Sequence, residues 1–244
     1  MSATGDASAR PAFAITLAME AETLTVEVNE SERVTALLYS AAKKDRAGFT
    51  VVLGHGAGAN QLSGFMRMVA GGLAARGIDA LTFNFLYTER GRHLPDPKAR
   101  LESCYRAIIN AALNHRKLKK NRLAIGGKSM GGRIASQVAA AEGDRVAGLV
   151  LLGYPLHPPG GPDKLRAEHL KDIRAPMLFA QGARDTFGTA DEIRAVIKKL
   201  RLPATLYVID GGDHSFKVPK SAGVPQEEVY EKVMDKVAEW TRTV

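Results

Sequence analysis

A single cysteine, Cys104, in a chain of 244 residues excludes an internal disulfide and makes a reducing cytoplasm the expected setting. That thiol lies in a helical pattern, ARLESCYRAIINAALNH, with no partner motif around it, and reads as inert and half-buried. Long apolar runs are missing as well: none approaches the roughly 20 residues that a membrane span requires. The opening stretch, MSATGDASARPAFAITLAME, has no basic leader followed by a long apolar segment, so no secretory signal is expected. Residues 1–17 read as a disordered tail, followed by one domain over 18–244. Within that span there is no Pro-, Gly- or Ser-rich linker and no internal repeat.

The six histidines are scattered, without His-Glu-x-x-His or Cys-x-x-Cys spacing, so no metal site is expected. Aromatics are scarce, at 6%, and do not interleave with cations. That removes the signature of single-strand binding in spite of a formal charge of +8. The densest basic stretch, HRKLKKNR at 115–122, reads as closing a helix, where cations complement the helix dipole. Nucleic-acid binding is therefore not expected.

What is present is a change of pattern along the chain. TLTVEV and RVTALLYS alternate apolar and polar residues around NESE, which predicts an antiparallel hairpin with one solvated face. FTVVLGHG, IDALTFNF, RLAIGGKS, AGLVLLGYP, PMLFAQGARD and ATLYVIDGGDH are instead near-continuous apolar runs, as expected of strands buried on both faces. Helical patterns fall at 61–76, 97–116, 130–142, 189–200 and 225–242. The sum is an α/β fold: a mostly parallel sheet with an antiparallel N-terminal hairpin and helices on both faces. In such sheets function gathers at the carboxyl ends of the strands. His55, Asn84, Ser129, Asp185 and His214 all stand there.

The stretch AIGGKSMGGRIA, at 124–135, can be read as a P-loop or as a nucleophile elbow. A P-loop needs a glycine five positions before the Gly-Lys-Ser glycine. Arg122 occupies that position, and LAIG is strand rather than a phosphate cradle. The elbow fits throughout. A strand enters Gly127, Lys128, Ser129, Met130, Gly131 and Gly132, and a helix begins, its first amides open to developing negative charge. Serine needs an imidazole base and an orienting carboxylate, in the chain order serine, acid, histidine. Asp185 follows one apolar strand and His214 the next. Asp210 and Asp213 are the competing acids, but each lies in the histidine's own loop. The oxyanion amides are expected from Met130 and from Ala57 in the loop GHGAGAN. A dinucleotide fingerprint in that loop is disfavoured, because the next strand ends in Asn84 and Phe85 instead of an acid.

With these residues in place the chain resembles the α/β-hydrolase superfamily from about residue 20 to 242. HGAGA, GGKSMGGR, LGYPLHPPG and GARDTFG look like its small dienelactone-hydrolase-related group, which includes testis-expressed protein thirty. A similar domain occurs in a chromatin-complex subunit. The resemblance implies an eight-stranded fold and catalytic roles for Ser129, Asp185 and His214. Ser129 stands where true dienelactone hydrolases use cysteine.

Only residues 156–174 separate LLGYP from APMLF, which leaves room for a proline-rich loop and one short helix, a minimal cap over an open site. His55, Lys128 and His157 are candidates for substrate contact, with Arg90, Arg92 and His93 nearby in the expected pocket. A basic lining of that kind would favour an anionic substrate. The expected activity is hydrolysis of small acyl esters or thioesters without an organic cofactor. An acyltransferase using the same site and a non-catalytic interaction module are the alternatives.

Overall fold

Alternation sets the first two strands. In β1 (Glu22–Asn29) and β2 (Glu32–Tyr39) every second side chain turns inward, and the two pair antiparallel with Val26 opposite Val34. Between them the Asn29 side chain accepts a hydrogen bond from the Ser31 amide at 3.0 Å, closing the turn. The computed structural model describes residues 20–244, so the tail expected over 1–17 lies outside the described residues.

The remaining strands are β3 (Phe49–Gly54), β4 (Asp79–Phe83), β5 (Arg122–Lys128), β6 (Gly148–Leu152), β7 (Met177–Gly182) and β8 (Ala204–Ile209). All eight form one sheet in the order β1-β2-β4-β3-β5-β6-β7-β8, parallel from β4 to β8. The helices are α1 (Gly64–Ala75), the single turn α2 (Leu86–Glu89), α3 (Lys98–Asn114), α4 (Met130–Glu142), α5 (Ala190–Leu200) and α6 (Gln226–Thr241). Successive strand residues feed opposite cores. Val52, Leu81, Ile125, Leu151 and Phe179 pack with α3, α4 and α5 on one face. Val51, Ala80, Ala124, Val150 and Leu178 pack with α1 and α6 on the other.

Three expectations are corrected. ATLYVI does not form a strand buried on both faces: β8 is half-buried along most of its length, because only β7 pairs with it and it ends the sheet. The basic stretch 115–122 lies beyond α3 instead of in its last turn. Burial of Leu118 in the core turns the chain there, and Lys117 pairs with Glu22 at 2.5 Å. Cys104 is fully rather than half buried, and that burial pushes its thiol up to about 12.

Candidate active site

The centre of the site is the junction of β5 and α4. Ser129 joins them at φ 51° and ψ −115°, a conformation that costs a non-glycine residue about 1–3 kcal/mol. Its amide donates to the Leu152 carbonyl of β6 at 3.0 Å, and its own carbonyl accepts the Arg133 amide at 3.0 Å, so strand and helix both hold the turn. Glycine is required on either side. A Cβ at Gly127 would lie 2.2 Å from the Gly54 carbonyl oxygen, and one at Gly131 would lie 2.1 Å from the same atom.

The turn lifts the serine hydroxyl toward the loop after β8. Ser129 Oγ donates to His214 Nε2 at 2.8 Å, and His214 Nδ1 donates to Asp185 Oδ2 at 2.8 Å. Asp185 is fully buried in the loop after β7. It also accepts from Gln181 Nε2 at 2.9 Å and from the Phe187 amide at 2.8 Å. The Phe187 ring lies against the imidazole, with centroids 4.2 Å apart. The carboxylate and the imidazole are thus each fixed from three directions. Asp213, the neighbouring acid, turns away to accept from the Ser215 and Lys217 amides at 2.7 and 2.9 Å.

Two hollows meet at Ser129. The larger is a cleft of about 550 Å³ bordered by Phe65, Met66, Lys128, Phe187, His214 and Tyr230. The smaller, about 250 Å³, is bordered by Lys98, Arg133 and Arg166. Ala57 borders both, and Met130 borders the smaller. As the first residue of α4, Met130 has an amide with no intrahelical acceptor. A still larger open groove of about 930 Å³, between β1 and α3, contains neither Ser129 nor His214. From β6 to β7 the chain forms only one 3-10 turn, Glu168–Asp172, and no helical cap.

The three candidates for substrate contact separate. Lys128 borders the larger cleft, but its Nζ is buried without a hydrogen-bond partner, 5.7 Å from the centroid of the Phe216 ring. Burial lowers its amine to about 8, against the pull of Asp185 and Asp213. His55 is fully buried and does not reach either hollow. Its Nδ1 donates to the Gly56 carbonyl at 2.9 Å, and its Nε2 accepts from the Phe85 amide at 3.3 Å, tying the loop after β3 to the chain after β4. Burial holds this ring below the usual imidazole range. His157 bonds the Pro158 carbonyl at 2.9 Å and Glu192 at 3.2 Å, so it fastens the 155–166 loop to α5. Arg90 pairs with Glu32 and Arg92 with Asp96, and His93 points to solvent; none of them borders the larger cleft.

Two polar groups at the site escaped the sequence reading. Gln181 binds Asp185, the Gly188 carbonyl at 2.7 Å and the Tyr154 carbonyl at 3.2 Å, and so shapes the acid's loop. Its signal was a lone amide inside an apolar strand, PMLFAQG. Arg133 was signalled by its position in the first turn of a helix, where the dipole disfavours a cation.

The strand order, the strained serine after β5, the acid after β7 and the histidine after β8 together define an α/β-hydrolase fold. The chain belongs to the alpha/beta hydrolase domain family, whose model matches residues 47–242. Among solved structures it is similar to a dienelactone hydrolase from Anabaena variabilis at 22% identity, covering 92% of this chain and 98% of that one, with a TM-score of 0.73. A serine hydrolase without a lid from Xanthomonas campestris matches at 19% identity over 91% and 95% of the two chains, with a TM-score of 0.69. A serine hydrolase homologue from Coxiella burnetii matches at 18% identity over 88% and 96%, with a TM-score of 0.70. No helix among the described residues is long and apolar enough to cross a membrane.

Proposed function

We propose that this protein is a serine hydrolase that cleaves esters or thioesters of small or exposed acyl groups. The observation that carries the reading is the unbroken hydrogen-bonded chain Ser129–His214–Asp185, with both links at 2.8 Å. Ser129 Oγ attacks the acyl carbonyl while His214 Nε2 takes its proton, and Asp185 stabilises the resulting imidazolium. The amides of Ala57 and Met130 receive the oxyanion. His214 then returns the proton to the leaving group, which departs and leaves an acyl-serine. A water molecule deprotonated by His214 attacks that ester and releases the acid. A site without a helical cap admits this water readily, which favours hydrolysis over acyl transfer.

The apolar side chains Phe65, Met66 and Tyr230 suit one half of an organic ester. The motif strings further support membership of the small dienelactone-hydrolase-related group that includes testis-expressed protein thirty. The single buried thiol suits a cytoplasmic setting.

Fluorophosphonate labelling tests the reading. Wild type should label, and Ser129→Ala and His214→Ala should not. A folded wild type that stays unlabelled, or a Ser129→Ala variant that still labels, would overturn it.

A further inference from the structure

The smaller hollow beside Ser129 holds two guanidinium groups that the protein leaves unanswered. Arg133 rises from the first turn of α4, four residues after the serine, and Arg166 reaches in from the loop between β6 and β7. Among the described residues neither guanidinium makes an ion pair or a side-chain hydrogen bond, and Arg133 Nε is buried without a partner. The arginines of the neighbouring 90–106 segment behave differently. Arg90, Arg92, Arg100 and Arg106 each hold a carboxylate.

Three unfavourable terms converge on Arg133: burial, repulsion from Arg166, and the positive end of the α4 dipole. The first two push its guanidinium below the ordinary range. His169, against the same helix, is lowered by burial and then by Lys98 and Arg133. One carboxylate borders the hollow, Asp96; its Oδ1 is tied to Arg92 at 2.6 Å, and its Oδ2 is buried without a hydrogen-bond partner. The Lys98 ammonium is paired with Glu102 at 3.2 Å. What remains is two cationic forks facing a cavity that also contains the nucleophile and the amides of Ala57 and Met130.

We propose that this hollow is a carboxylate subsite, and that the natural substrate is an ester or thioester carrying a carboxylate a few bonds from the reacting carbonyl. The proposal rests on the serine-hydrolase reading and names its substrate class. A planar carboxylate accepts two parallel hydrogen bonds from a guanidinium, which an ammonium cannot offer. The substrate's anionic end sits on Arg133 and Arg166, and its apolar end lies in the larger cleft against Phe65 and Tyr230. The ester between them then falls on Ser129. The carboxylate can belong to the acyl part or to the alcohol part, and the two make the same contact.

The test compares kcat/KM for three esters: monophenyl glutarate, phenyl valerate, and 4-carboxyphenyl valerate. The first carries the carboxylate on the acyl side, the second has none, and the third carries it on the leaving group. Wild type should favour one anionic ester over phenyl valerate by about tenfold or more. Arg166→Gln should abolish that preference, bringing kcat/KM for the anionic ester to within about threefold of that for phenyl valerate. Arg133→Gln should do the same, and Arg133→Lys, which keeps the charge but loses the fork, should restore part of it.

Equal turnover of all three esters by wild type, or a preference that survives Arg166→Gln, overturns the subsite and leaves the hydrolase standing. Glutarate binding by calorimetry, in a Ser129→Ala background, separates the two readings if no ester turns over. Binding that disappears with Arg166→Gln upholds the subsite without catalysis, and no binding at millimolar glutarate rejects it.

Discussion

The two edges of the parallel sheet treat buried charge in opposite ways. At the amino edge, Asp79 opens β4 with its side chain fully out of water, and both oxygens are answered. The Ala41 amide donates to Oδ1 and Asn121 Nδ2 donates to Oδ2, each at 2.9 Å, while Arg46 stands 3.2 Å away as an ion pair. At the carboxyl edge, Lys128 closes β5 and Arg133 follows in α4; Lys128 Nζ and Arg133 Nε are buried without a partner. Burying charge is costly unless it is paired, so the amino edge is organised for folding. The carboxyl edge carries a standing cost that no hydrogen bond to Lys128 Nζ or Arg133 Nε offsets. Its cations are arranged for something that comes from outside.

The comparison breaks most visibly if exchanging an acid at each edge gives the same phenotype. Asp185→Asn keeps the shape of the carboxyl edge but presents the wrong partner to His214 Nδ1. It should lower kcat by about 10⁴-fold while the urea midpoint barely moves. Asp79→Ala should do the reverse. It removes the buried carboxylate on which the Ala41 amide, Asn121 and Arg46 converge and should cost about 3–5 kcal/mol of stability, read by urea unfolding. Activity per folded molecule should be unchanged. A stable but inactive Asp79→Ala protein would dissolve the distinction between the edges.

Lys128 sharpens the contrast through pH. Its folded value, about 8, lies below the ordinary lysine value of 10.5. Between these two values the unfolded chain binds the proton that the folded protein has released, so stability rises with pH across this window. Below the window the full cost of burying the ammonium is felt. Lys128→Met should therefore be more stable than wild type at neutral pH, by roughly 2–3 kcal/mol. The advantage should shrink steadily as pH climbs toward the ordinary lysine value. Paired urea titrations at neutral pH and near pH 10 would show it, and a gap that does not narrow would mean the ammonium is not desolvated.

The carboxyl edge was also the more legible of the two in the sequence. Glycine spacing around Ser129 and the order of strand ends were enough to nominate Asp185 and His214, because a sharp turn between strand and helix permits few residues. The strands were visible as apolar runs, but β8 could not be told from a central strand, since edge position depends on sheet order and not on composition. His55 and His157 stand near the site in sequence, yet their rings are consumed by backbone carbonyls and Glu192. Whether a polar side chain faces a cavity depends on what else reaches it, and for Arg90 and Arg92 the answer came from Glu32 and Asp96. For Arg133 and Arg166 no such partner came.

The smallest effect tests whether the carboxyl edge contains a purely structural layer of its own. Thr189 caps α5: its Oγ1 accepts the Glu192 amide at 3.3 Å, and Glu192 accepts in return from the Thr189 amide at 2.8 Å. This box closes the loop that begins at Asp185, so loosening it could in principle free the acid. The bonds that orient Asp185, however, come from Gln181 and the Phe187 amide, not from the cap. Thr189→Ala should accordingly cost about 1 kcal/mol of stability in thermal or urea unfolding. Its kcat should stay within about twofold of wild type. A tenfold fall in kcat would mean that the cap and the acid form one unit, and that strain at this edge is shared between structure and chemistry.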